Sequence, residues 1–185
     1  MNIMVMMRMK KSKRIIGILF FTVIIVMIMT ILSSIILVKT DDRKIGCGLP
    51  IPLKKRIEQE TKDMNVEQII DYSLELTASQ LQFSRYNEID KGKANCVGYA
   101  RLCASICNQA LAANGIKGQA KPVVGYIESI GINWCDVLKT VVPDDSYKNF
   151  VKDHDFVELV TDSVTFYFDP SIYDVLGKKC LSTNT

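Results

Sequence analysis

His154 is the sole histidine in the sequence, so any imidazole-assisted reaction has a single candidate base. The candidate nucleophile is Cys96. It follows Asn95, a residue type that caps helices, and opens a stripe of Tyr99, Ala100, Cys103, Cys107, Ala110 and Leu111 at helical steps. A thiol in the first turn of a helix meets unpaired backbone N–H groups and the positive end of the helix dipole. Both favour thiolate over thiol. The same N–H groups could hold the oxyanion of an acyl-transfer intermediate. Asp169 is the third candidate, a carboxylate that would fix the tautomer of the imidazole and stabilise its protonated form. The chemistry these residue types can do together is nucleophilic attack on a carbonyl, with Cys96 attacking, His154 moving the proton and Asp169 orienting the ring.

That proposal demands elements that bring the three together. Asn95 as N-cap and Asn114-Gly115 as stop predict a helix with Cys96 at its start. An earlier helix is expected from Asn65, with Gln68 reaching back as a capping box, to about Phe83, and residues 84–95 read as a loop. After Gly118 the runs Lys121–Glu128, Asp155–Val160 and Val164–Phe168 are rich in Val, Ile, Phe and Tyr and read as strands, with residues 129–150 as an irregular insertion. Helices first and strands afterwards point to an α+β domain with an antiparallel sheet. If Asp162-Ser163 is a two-residue turn, Thr161 pairs with Val164 and Phe156 with Asp169. His154 then lies diagonally next to Asp169, within reach of its carboxylate.

The string Asn95-Cys96-Val97-Gly98-Tyr99-Ala100-Arg101-Leu102, followed by Asn114-Gly115-Ile116, resembles the nucleophile helix of transglutaminase-like domains. His154-Asp155-Phe156-Val157-Glu158-Leu159 and Val164-Thr165-Phe166-Tyr167-Phe168-Asp169-Pro170 resemble that family's His strand and Asp-Pro strand. The resemblance implies a papain-like α+β fold over roughly residues 65–175. It also implies a thioester acyl-enzyme made from a peptide or protein amide and passed to an amine or to water. Ala94 stands where the family often has Gly, and Phe156 where Trp is common, which leaves the substrate open. The same resemblance admits an alternative, a catalytically inactive fold used as a membrane-tethered binding or assembly module.

Ahead of this domain, Ile15 to Val38 carries no charged residue. If helical it would rise about 36 Å, enough for a hydrocarbon core about 30 Å thick. Arg8, Lys10, Lys11, Lys13 and Arg14 precede it without an acid. The expectation is a basic tail (1–14), an uncleaved transmembrane signal anchor (15–38), a stalk (39–64) and a domain (65–185) held outside the cytoplasm. Set aside those five of the 23 basic residues and the remainder, against 20 acidic ones, is slightly acidic, so the formal charge of +3 belongs to the tail. No basic patch interleaved with aromatics appears, which argues against a nucleic-acid partner.

Other residues invite blander readings. Cys103 and Cys107, further down the stripe of Cys96, read as core. Cys47, Cys103, Cys107, Cys135 and Cys180 are odd in number, so they cannot all pair internally, and Cys47 with Cys180 would join stalk to tail. Their spacing matches no zinc site, and no cofactor is expected. Trp134 could line a cleft or plug the core. Glu158, on the His154 side by parity, could be a polar neighbour of the site or face water. Asn95 and Gln82 are the candidate side-chain oxyanion donors.

Overall fold

The computed structural model describes residues 3–43, 47–133, 136, 137, 140, 153–179 and 181–184. Trp134, Cys135 and Cys180, with the readings attached to them, lie outside the described residues, as does most of the 129–150 insertion. The chain runs through helix α1 (Ile3–Ser33), strand β1 (Ile35–Asp42), helices α2 (Ile51–Glu60) and α3 (Val66–Gln80), and short strands β2 (Gln82–Phe83) and β3 (Lys93–Ala94). Helix α4 (Cys96–Ala113), strands β4 (Gly118–Ser129), β5 (Ile132–Asn133), β6 (His154–Thr161) and β7 (Thr165–Phe168), helix α5 (Pro170–Leu176) and strand β8 (Leu181–Asn184) follow. The architecture is α+β. Its main sheet is antiparallel in the order β1-β4-β6-β7-β8, with β5 also on β4. The sheet curls until β1 and β8 come into contact.

The expected N-terminal transmembrane helix is not supported. Among the described residues no helix is long and apolar enough to cross a membrane. The apolar run does not stay helical to its end: α1 stops at Ser33, and Ile35–Val38 open β1, paired with Ser129–Tyr126 of β4. A continuous apolar run fits a buried strand as well as a helix, and these residues, β-branched except for Leu37, took the strand. The helix end is tied to the sheet by Ser129, whose hydroxyl donates to the Ile31 carbonyl at 2.7 Å and lies 2.7 Å from the Ser34 hydroxyl. Beyond that junction Ile18, Phe20, Phe21, Val26 and Met29 stand exposed.

Residues 39–64, read as a stalk, contribute structure to the domain. They supply the rest of β1 and helix α2, whose Ile57 is fully buried with Ile69, Ile70, Leu74, Ile106 and Leu111. Each such side chain contributes about 1.5–3 kcal/mol by leaving water. Helix α3 begins with the expected reciprocal cap, Gln68 N–H to Asn65 Oδ1 and Asn65 N–H to Gln68 Oε1, both 2.9 Å. Helices α2, α3 and α4 share one core with Ala120, Val157, Leu159, Phe166 and Phe168 of the sheet. A smaller cluster of Leu37, Val123 and Phe156 fills the other face. There β1 passes so close to β4 that a Cβ on Gly125 would run into the Val38 carbonyl and sit 2.9 Å from the Phe156 ring. Helix α4 is clamped to the sheet by Asn108, whose amide donates to and accepts from the Ala120 backbone, both at 2.7 Å.

Candidate active site

Cys96 is the first residue of α4 and is half-buried. The helix starts there because the Asn95 side chain accepts the Val97 N–H at 3.0 Å, the bond an N-cap is placed to make. At the first helical position the Cys96 N–H has no acceptor within its own helix. Asn95 is itself anchored, its N–H donating to Asn87 Oδ1 at 3.0 Å. Asn87 and the loop before α4 pack onto the first turn because residue 98 is glycine. A Cβ there would lie 2.6 Å from the Ala94 Cβ and 2.7 Å from Asn87 Oδ1.

His154 opens β6, opposite Gly125 of β4. The β6–β7 register is the one a two-residue Asp162-Ser163 turn requires: Val157 opposes Phe168 and Val160 opposes Thr165. The turn lacks glycine, and Thr161 stabilises it instead. Its N–H and hydroxyl both donate to the Val164 carbonyl, at 3.0 and 2.7 Å, and its hydroxyl accepts the Val164 N–H at 3.1 Å. This register carries Asp169, the residue after β7, to the ring of His154, where Asp169 Oδ2 meets Nε2. The thiol of Cys96 lies near enough to the same imidazole to help hold it charged, and with Nε2 facing Asp169 the ring nitrogen left free is Nδ1.

Asp169 is fully buried, and its other oxygen caps α5. Oδ1 accepts the Ser171 N–H at 2.8 Å, the Ser171 hydroxyl at 2.7 Å and the Ile172 N–H at 3.0 Å. Burial pushes the Asp169 carboxyl up. The imidazole charge and these hydrogen bonds outweigh it and hold the group below the usual carboxylate range. For His154 burial pulls the other way. It would lower the imidazole, yet the Asp169 charge and hydrogen bond, aided by Cys96, hold it well above its ordinary value. The ring keeps 17 % of its side-chain surface exposed.

The structure thus brings Cys96, His154 and Asp169 together. It places the other candidates elsewhere. Cys103 and Cys107 are buried and unpaired, with burial raising Cys103 far above the usual thiol range and Cys107 to about 12. Asn95, by contrast, adjoins Cys96 with its side-chain oxygen taken by the helix cap, and Gln82 is exposed on β2 opposite Lys93. Glu158 is neither a neighbour of the three candidates nor water-facing. It is buried on the face away from α4, bound by Lys39, Lys121 and Tyr167. An open cavity of about 470 Å³ runs past Cys47, Leu53, Leu81, Ile89 and Leu102, and neither Cys96, His154 nor Asp169 lines it. Asn87 escaped the reading of the sequence, because one asparagine in a polar loop carries no spacing signal. No family model, curated protein or solved structure matches this chain.

Proposed function

We propose that the protein is a transglutaminase-like cysteine enzyme that forms a thioester acyl-enzyme on a peptide or protein amide. The observation that carries this reading is the shared imidazole, hydrogen-bonded to a buried carboxylate and set beside a thiol at a helix N-terminus. An imidazolium held by Asp169 favours the thiolate beside it. The Cys96 sulfur attacks the substrate carbonyl carbon, and the oxyanion that forms lies near the unpaired N–H groups of the first turn of α4. His154 delivers its proton to the leaving amine as the carbon–nitrogen bond breaks, leaving a thioester on Cys96 and a neutral imidazole. An incoming amine or water then attacks the thioester and gives its proton to His154. The thiolate departs, and an amide or a carboxylic acid is released.

The test uses the full chain and p-nitrophenyl acetate as a generic acyl donor. The expected result is a burst of p-nitrophenolate with an acetyl mass on Cys96. The thioester should clear in water and faster with an added primary amine, and Cys96→Ser and His154→Ala should each lower the burst rate at least about a hundredfold, the lower end of general-base contributions. A burst unchanged by His154→Ala would leave the fold without its chemistry.

A further inference from the structure

The end of β6 that carries His154 is held from one side only. Its ladder to β4 begins at His154 opposite Gly125, whereas the ladder to β7 begins three residues later, at Val157 opposite Phe168. Among the described residues, those that must keep the imidazole between Cys96 and Asp169 therefore have no strand pairing on their second edge. A side chain from a distant part of the chain reaches these residues from the β4 side. Arg43, just past the end of β1, donates from Nε to Asp155 Oδ2 at 3.0 Å, from Nη2 to Asp155 Oδ1 at 3.1 Å and from Nη2 to Asp153 Oδ2 at 3.1 Å. Its own backbone is fixed, the N–H donating to the Pro122 carbonyl of β4 at 3.2 Å. One guanidinium fork thus grips the residues immediately before and after His154. Asp155 is almost wholly buried, at 1 % exposure, so this arm works away from water, whereas Asp153 is 46 % exposed and its arm lies at the surface.

We propose that Arg43 is a positioning residue of the site, clamping Asp153 and Asp155 so that the start of β6 presents His154 to Cys96. The inference rests on the reading of Cys96, His154 and Asp169 as a triad. A planar fork that meets one carboxylate with two N–H groups fixes direction as well as distance, which a lysine ammonium does not. The clamp also makes the segment leading into the domain part of the site. Arg43 touches none of the three reacting side chains and acts through the backbone on either side of one of them.

The experiment is the rate of iodoacetamide labelling of Cys96 in the full chain at pH 6, read by mass, with a mutant cycle between positions 43 and 154. Arg43→Ala should slow labelling about tenfold, and Arg43→Lys should recover only part of that rate. In the His154→Ala background Arg43→Ala should have no further effect, because a residue that acts only through the imidazole loses its influence when the imidazole is gone. Labelling of Arg43→Ala at the unaltered rate, or an equal slowing in the His154→Ala background, overturns the proposal. Should Arg43→Ala fail to fold, Asp153→Asn removes only the surface arm and enters the same cycle. It should slow labelling a few-fold in the presence of His154 and not in its absence, and an unchanged rate overturns the clamp. If labelling of the unaltered chain does not depend on His154, the triad reading falls and takes this inference with it. That result is separable, since it is obtained before position 43 is touched.

Discussion

At the scale of single residues, burial would discharge His154, because an imidazolium loses hydration on leaving water. Asp169 reverses the outcome, and it can do so because Ser171 and Ile172 hold its other oxygen. The two groups move in opposite senses, and each has a pH window. Asp169 is depressed, so its contribution to stability is present above its ordinary value of about 3.9 and is lost as pH falls through its folded value. His154 is raised, so its contribution is complete below about 6.5 and is lost as pH rises through its folded value. Asp169→Asn keeps an acceptor for the α5 cap and removes the charge. Its melting temperature should therefore fall furthest below that of the unaltered protein between about pH 4 and 6.5, with the gap narrowing on both sides. A gap constant from pH 4 to 9, followed by circular dichroism, would contradict an imidazolium–carboxylate pair. The register placed Asp169 beside His154, and Asp169 also caps α5, since an Asp followed by Pro is a helix start.

At the scale of elements, a buried carboxylate on β6 fastens the curled sheet. Glu158 accepts from Lys39 of β1 with both oxygens at 2.9 Å, from Lys121 of β4 at 3.1 Å and from the Tyr167 hydroxyl of β7 at 3.0 Å. Burial pushes this carboxyl up, and the two ammonium groups and the phenol hold it below the usual range. Replacing Glu158 by Ala leaves the half-buried Lys39 and Lys121 ammonium groups with the exposed Asp42 carboxylate and without their buried partner. We expect a loss of about 3 kcal/mol in urea unfolding, since removing one partner of a buried pair is far costlier than the pair is favourable. A loss under about 0.5 kcal/mol would mean that the cluster is a surface feature. Alternation along β6 predicted the face Glu158 occupies relative to its strand neighbours but not its partners, because Lys39 belongs to a strand that periodicity could not distinguish from a helix. The elements around the site were more legible. The start of α4 at Cys96 followed from Asn95, the capping box of α3 from Asn65 and Gln68, and the β6–β7 register from a two-residue turn.

At the scale of the whole molecule, what was legible was local and what was missed was long-range. Caps and turns are written within a few neighbouring residues, so Cys96, His154 and Asp169 could be placed on their elements from spacing alone. Strand β1 pairs with residues far along the chain, and nothing near Ile35–Val38 announces that partner, so the run read as the end of a membrane span. Arg43 was hidden for the same reason, as one charge among several in a stretch taken for a stalk. The sheet has its β1 edge only with that stretch included. The Arg43 grip on Asp153 and Asp155 shows how the N-terminal part of the chain reaches the residues beside the imidazole. The central claim, that Cys96 and His154 work as one unit, is tested most directly by the pH dependence of Cys96 alkylation in the full chain and in His154→Ala. An unperturbed thiol ionises near 8.5 and labels slowly at pH 6. The account predicts rapid labelling at pH 6 that is lost in His154→Ala, whereas slow labelling at pH 6 with the same profile in both proteins would contradict it.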